Sequence, residues 1–139
     1  MNRQPNANCG KMADRGGLKG QAMESLDNII PRVRLSFSSL EESGESEVVF
    51  GHGVAQLCQG VKDMGSLNRA AKSMGMAYSK AWRIMKDTEN ALGIKILNRD
   101  GAHGSTLTEQ GRELLDAYYE VEKAVQTAAE HLLGEIIAR

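Results

Sequence analysis

The apolar positions change period along this chain, and the changes mark its elements. "RVRLSF" alternates strictly: Val33, Leu35 and Phe37 fall on one side, Arg32, Arg34 and Ser36 on the other. That pattern predicts a half-buried strand. "EESGES" is a polar turn around Gly44, and "EVVF" reads as the returning strand of a β-hairpin. "GHG" at 51–53 breaks the alternation, after which Val54, Leu57, Cys58, Val61 and Met64 recur at helical spacing. An amphipathic helix is expected there, closed by Gly65, with Ser66 placed to cap the next one.

That next helix is short, from about Ser66 to Met74, with Leu67, Ala70, Ala71 and Met74 facing inward. Gly75 follows, where a left-handed turn costs least. A third helix is predicted from about Ala77 to Leu92, its apolar positions being Ala81, Ile84, Met85, Ala91 and Leu92. Its opposite face carries Ser79, Arg83, Lys86 and Asn90, at steps of four, three and four. Gly93 ends it; "IKIL" is a short strand, "NRDGAHGS" a tip and "TLT" a short return. Thr108 then caps a long final helix in which Leu114, Tyr118, Val121, Val125, Ala128 and Leu132 recur at steps of four, three, four, three and four. This is a seam of period 3.5, the spacing of a helix that pairs with another helix. Residues 1–28 lack any period and are expected to be a flexible N-terminal arm, leaving 29–139 as the folded domain.

Composition adds little to this outline, except through charge. The chain has 139 residues, 41% hydrophobic and only 4% aromatic, so its core must be mostly aliphatic. The formal net charge is -1, but its distribution is uneven. Residues 66–112 carry eight Lys/Arg against four Asp/Glu, while 113–139 carry two against six. The positive block coincides with the short second helix and the third, and positive blocks favour a polyanionic partner. Cys9 and Cys58 make no disulfide framework, and Cys58 lies on an apolar helical face as a small core residue. His52, His103 and His131 are scattered and no metal-ligand spacing occurs, so no metal and no cofactor are expected. No apolar run approaches a membrane span and the N-terminus lacks a signal-peptide core, so a cytoplasmic location is expected.

Three helices, a glycine turn between the second and third, and a small hairpin make a winged helix-turn-helix: mainly α, with small β-hairpins and a long C-terminal dimerisation helix. The physical logic points to double-stranded DNA. A helix fits the major groove and presents side chains to base edges, the preceding helix braces it, and the wing reaches neighbouring phosphates.

The segment "SLNRAAKSMGMAYSKAWRIMKDTENALGIKILNRDGAHGSTLTEQGRELL" resembles the DNA-binding segment shared by LysR-type and ModE-type, molybdate-responsive regulators. The matching pieces are Ser66, Ala70-Ala71, Met74, Glu89, Leu92-Gly93, Arg99, and Leu107-Thr108 with Gly111. "MAYSKAW" and the upstream "VVFGHGVAQL" look more like the ModE side, and the resemblance covers roughly residues 32–135. It implies a sequence-specific transcriptional regulator. ModE regulators carry molybdate-binding domains after the long helix; this chain ends at Arg139, so no molybdate site is expected in it. Two further departures stand out: a short wing tip with Asp100, and Thr88 where a leucine is usual on the inner face of the third helix.

The residues expected to meet DNA follow from this reading. Ser79, Lys80, Arg83 and Lys86 face the groove or its edges, with Arg83 placed to donate to guanine. Tyr78 either bonds sugar-phosphate or braces the turn; Trp82 borders the polar face as an amphipathic brace. Arg69 and Ser66 on the second helix, and Arg99 and His103 at the wing, are the remaining candidates; Arg99 either binds phosphate or forms a salt bridge within the fold, and Ser66 is first a helix cap. Tyr118, Val121, Val125, Ala128 and Leu132 are expected at a homodimer interface, and Leu114 and Leu115 against the chain's own first helix. Dimerisation would place two recognition helices on half-sites roughly 34 Å apart. The alternative is a winged-helix protein-protein interaction module docking through the hairpin edge at 32–37 or the acidic final helix. No catalytic set converges by spacing, so an enzyme is not expected.

Overall fold

A computed structural model describes residues 26–40, 46–99 and 104–139. Most of the expected arm, up to residue 25, lies outside the described residues, as do Cys9 and His103. The chain divides into two compact units: residues 33–127, and residues 26–32 together with 128–139.

Eight elements follow in order: β1 (Phe37–Leu40), β2 (Ser46–Phe50), α1 (His52–Met64), α2 (Leu67–Ser73), α3 (Tyr78–Leu92), β3 (Leu97–Arg99), β4 (Ser105–Leu107) and α4 (Glu109–Ala138). Two antiparallel hairpins, β1–β2 and β3–β4, flank the three-helix core. This is the winged helix-turn-helix that the sequence predicts.

The expected strand at 32–37 is corrected in extent. Its burial alternates as predicted, but ladder pairing begins only at Phe37, opposite Phe50. β2 ends at Phe50 because Gly51 already begins α1, so the stretch before Phe37 has no strand to pair with. Side chains of α4 serve it instead. The Val33 N–H donates to Gln126 Oε1 at 3.0 Å, and the Tyr118 hydroxyl donates to the Leu35 carbonyl at 2.9 Å. Buried backbone groups need such partners.

Tyr118 is therefore also corrected. It is fully buried, not part of an exposed seam. Its ring meets Phe37 and Phe50 edge-on, with centroids 5.5 and 5.4 Å away, so these three rings gather where α4 meets the hairpin. Burial, with Glu122 nearby, pushes its hydroxyl pKa up and keeps the proton that the Leu35 bond requires. Leu115 is buried beside it and Leu114 partly so, as expected.

The helix-turn-helix corner forms as the sequence predicts. Ser66 Oγ accepts from the Arg69 N–H at 3.2 Å and caps α2. At the other end Gly75 adopts φ 68°, and the amides of Gly75 and Met76 return to the carbonyls of Lys72 and Ala71. That double closure ends α2 and sets the entry into α3. In α1, Leu57, Cys58 and Val61 are buried, while Met64, in the last turn, is partly exposed. Burial pushes the Cys58 thiol up to about 12, so it stays protonated, an inert core residue.

On α3, Ala81 and Met85 are buried as expected, but Ala91 is exposed, and Thr88 and Glu89 take the inward positions instead. Thr88 tolerates burial because its hydroxyl donates to the Ile84 carbonyl at 2.8 Å. Glu89 explains a second shift. "IKIL" was expected to be a strand from Ile94, yet β3 starts at Leu97. The Glu89 carboxylate accepts from the amides of Ile96 (2.7 Å) and Leu97 (3.1 Å), so the chain is bent around a side chain before it can join a ladder.

The wing and α4 lock together through Thr108. Its hydroxyl accepts from the Gly111 N–H at 2.9 Å and donates to the Lys95 carbonyl at 2.6 Å. At Gly111 a Cβ would lie 2.5 Å from the Ile96 carbonyl oxygen. Gly111→Ala should gain roughly 1 kcal/mol of helix propensity but lose about 1–3 kcal/mol to that clash. Net destabilisation is expected in a thermal melt; a raised Tm would show that the helix shifts freely away from the wing.

Residues 26–32 and 128–139 form their own unit. Leu26, Ile29 and Ile30 line an open cleft of about 510 Å³ with Leu133 and Ile137. Among the described residues no helix is long and apolar enough to cross a membrane.

Candidate nucleic-acid interface

The site is built on α3. Its inward residues Ala81 and Met85 fix the helix in the core, which turns Ser79, Lys80 and Arg83 outward, all three exposed. Arg69 on α2 is exposed as well. These four stand where the sequence analysis placed them.

The remaining candidates form a cluster that spacing alone did not reveal. Arg99, on β3 of the wing, donates from Nη2 to the Tyr78 hydroxyl at 2.8 Å. The same guanidinium lies over the Trp82 ring, 4.3 Å from its centroid. Lys86 Nζ also lies over that ring, at 4.9 Å. Trp82 is thus the half-buried aromatic floor for two cations, one from its own helix and one from the wing. The cation it holds from outside its own helix belongs to the wing, a partner that spacing does not indicate.

Lys86, expected at the groove or its edges, also has partners within the chain. It is 3.6 Å from Glu89 Oε1, with only 39% of its side chain exposed. Its charge is shared between Glu89 and the Trp82 ring, which leaves Lys80 and Arg83 as the open cations of α3. Arg99 is exposed, stacked on Trp82 and hydrogen-bonded to Tyr78.

Beside this cluster lies an open cleft of about 410 Å³, lined by Ser66, Leu67, Asn68, Tyr78, Arg99, Gly104 and Ser105. It collects the start of α2, the start of α3 and the wing. The wing is held against it by the Ser105 N–H, which donates to the Gly65 carbonyl at 3.0 Å. Among the described residues, no carboxylate lines it. Asn68 was missed by sequence reasoning, and nothing in its spacing singles it out. Glu89 was noted only as part of a resemblance. The signal for its role was present: it follows Met85 by four residues, so a carboxylate falls on the buried face and must find donors. Among the described residues, no three of His, Cys, Asp and Glu gather as a metal-binding group.

Of the residues expected at the homodimer interface, those other than Tyr118 are exposed. Val121 and Val125, in the first unit, are 40% and 39% exposed. In the second unit Ala128 is exposed, Leu132 is 53% exposed and Ile136 45%.

Comparison with known proteins agrees with this geometry. Residues 55–112 match the family described as bacterial regulatory helix-turn-helix protein, lysR family. The chain is 30% identical over 82 residues to the molybdenum transport protein ModE of Azotobacter vinelandii, an alignment covering 55% of this chain and 30% of that protein. The chain thus spans less than a third of that relative. The fold is similar to the crystal structure of the CbnR_DBD–DNA complex, with a TM-score of 0.50 and 22% identity over 62% of this chain and 95% of the other. The matched segment begins inside α1 and ends just after the wing, so it encloses α2, α3 and the hairpin. Residues 55–112 thus carry a winged helix-turn-helix that matches the lysR-family helix-turn-helix model.

Proposed function

We propose that this protein is a transcriptional regulator that binds double-stranded DNA sequence-specifically, as a homodimer, in the cytoplasm. The observation that carries the reading is the outward face of α3: Ser79, Lys80 and Arg83 are exposed on a helix whose other face is fixed in the core. α3 enters the major groove, Arg83 donates to a guanine edge, and Lys80 and Arg69 pair with phosphates. The wing follows the neighbouring backbone. The CbnR_DBD structure, a DNA complex, supports this reading. A two-fold symmetric dimer would read a palindromic operator.

Selection of bound sequences from a random duplex pool tests it, with and without molybdate. A palindromic motif is expected, with affinity indifferent to the oxyanion. Log affinity should fall steeply with log salt as condensed cations are released. Arg83→Ala should weaken specific binding by roughly 1–3 kcal/mol per half-site and relax the preference at one base pair. A flat salt dependence, or an unchanged footprint for Arg83→Ala, would overturn the assignment of the recognition face.

A further inference from the structure

We infer that Tyr78 and Arg99 form one seat for a single backbone phosphate, held in place by the Trp82 ring, so that α3 and the wing grip the same phosphodiester. The inference rests on the DNA-binding reading above and gives it a definite anchor.

A guanidinium carries five N–H donors in its plane and none on its faces. Arg99 uses its face on Trp82 and one in-plane N–H on Tyr78. The rest of its edge stays available, and stacking holds that edge in one orientation. Tyr78 accepts from Arg99 through an oxygen lone pair, so its own O–H remains free to donate. Accepting from a cation also polarises that O–H and makes it a stronger donor. The two groups therefore present adjacent donors, 2.8 Å apart at their contact.

Those donors border the 410 Å³ cleft, which Ser66, Asn68 and Ser105 complete with polar side chains. Its described lining combines a cation with neutral polar groups, so the ligand it favours is an anion rich in acceptors. A DNA phosphate meets that description and is the group the neighbouring face of α3 would bring there. Tyr78 is 38% exposed, which leaves its hydroxyl within reach of a bound duplex.

Trp82 is a positioning residue in this arrangement. Without its ring, Arg99 would lose the surface that fixes its plane and would have to be ordered on binding, at an entropic cost. Because Arg99 belongs to β3 and Tyr78 to α3, the seat exists only when wing and helix are docked on each other.

The test uses the full chain and a duplex recovered by selection, with phosphates replaced one at a time by uncharged methylphosphonate. For the wild type, one phosphate per half-site should cost about tenfold in affinity when neutralised. Tyr78→Phe keeps the ring and should fold; it and Arg99→Gln should each bind the unmodified duplex about tenfold more weakly. Both should have lost sensitivity at that one phosphate and kept it elsewhere. The double variant should bind no more weakly than Arg99→Gln alone, because a shared ligand makes the losses non-additive. Trp82→Leu should lose sensitivity at the same phosphate, an outcome that general loosening of the fold would not produce. Additive losses, sensitivity lost at two different phosphates, or a wild-type phosphate profile in Tyr78→Phe would each overturn the seat and leave DNA binding intact. A wild-type chain that enriches no duplex would instead overturn the DNA reading, and the seat with it.

Discussion

Glu89→Ala is expected to destabilise the protein by roughly 2–5 kcal/mol, because it leaves two buried amides without an acceptor. Glu89 is 8% exposed, and its Oε2 takes both the Ile96 and Leu97 N–H groups. Water has little access to replace it. A loss of that size is a large fraction of the stability of a domain this small. Urea denaturation should show it as a lower midpoint with little change of slope. Glu89→Gln keeps one carbonyl acceptor and loses the charge and the Lys86 contact, so it should lie between wild type and alanine. Hydrogen exchange gives a local readout: protection at Ile96 and Leu97 should collapse first. DNA affinity should fall as well, since the wing is bent into place by these two bonds. Equal stability for alanine, glutamine and wild type would mean that the amides find other partners and that the carboxylate does not fix the wing.

Glu89 also shows where the sequence was legible and where it was not. Period and turn chemistry located all three core helices, the glycine corner and both hairpins, because each depends on residues close in the chain. Gly75 and Ser66 are local devices and were read correctly. What escaped were partnerships between distant residues. The alternation at 32–37 showed which side chains turn inward, but not that Gln126 and Tyr118 would take the place of a neighbouring strand. Tyr118 sits at a seam position by period, yet the aromatic contacts with Phe37 and Phe50 claim it for the core. The same limit applies to the site. The exposed face of Ser79, Lys80 and Arg83 follows from helical spacing alone. The Arg99–Trp82 stack joins residues on different elements, and periodicity along either one is silent about it.

Val121→Glu combined with Val125→Glu is expected to convert a dimer to a folded monomer. Both valines are well exposed, on a helix whose buried face is already committed to Leu115 and Tyr118. A second copy of the helix is the partner that a seam of period 3.5 accommodates. Full burial of a valine contributes up to about 1.5–3 kcal/mol. These side chains are already partly covered, so each contributes less, but a two-fold interface buries every one twice over. The substitutions reverse this by placing like charges in the contact. Sedimentation should show the change in mass, while circular dichroism stays helical because neither residue is in the core. Operator binding should then fall by about 100-fold or more, the advantage that linking two half-sites confers. Affinity for a duplex carrying one half-site should be unchanged, because α3 and the wing are untouched. If the double variant sediments like the wild type, this face is not the dimer contact. If the wild type is itself a monomer at micromolar concentration and still binds the full operator tightly, dimerisation is not how the two half-sites are read.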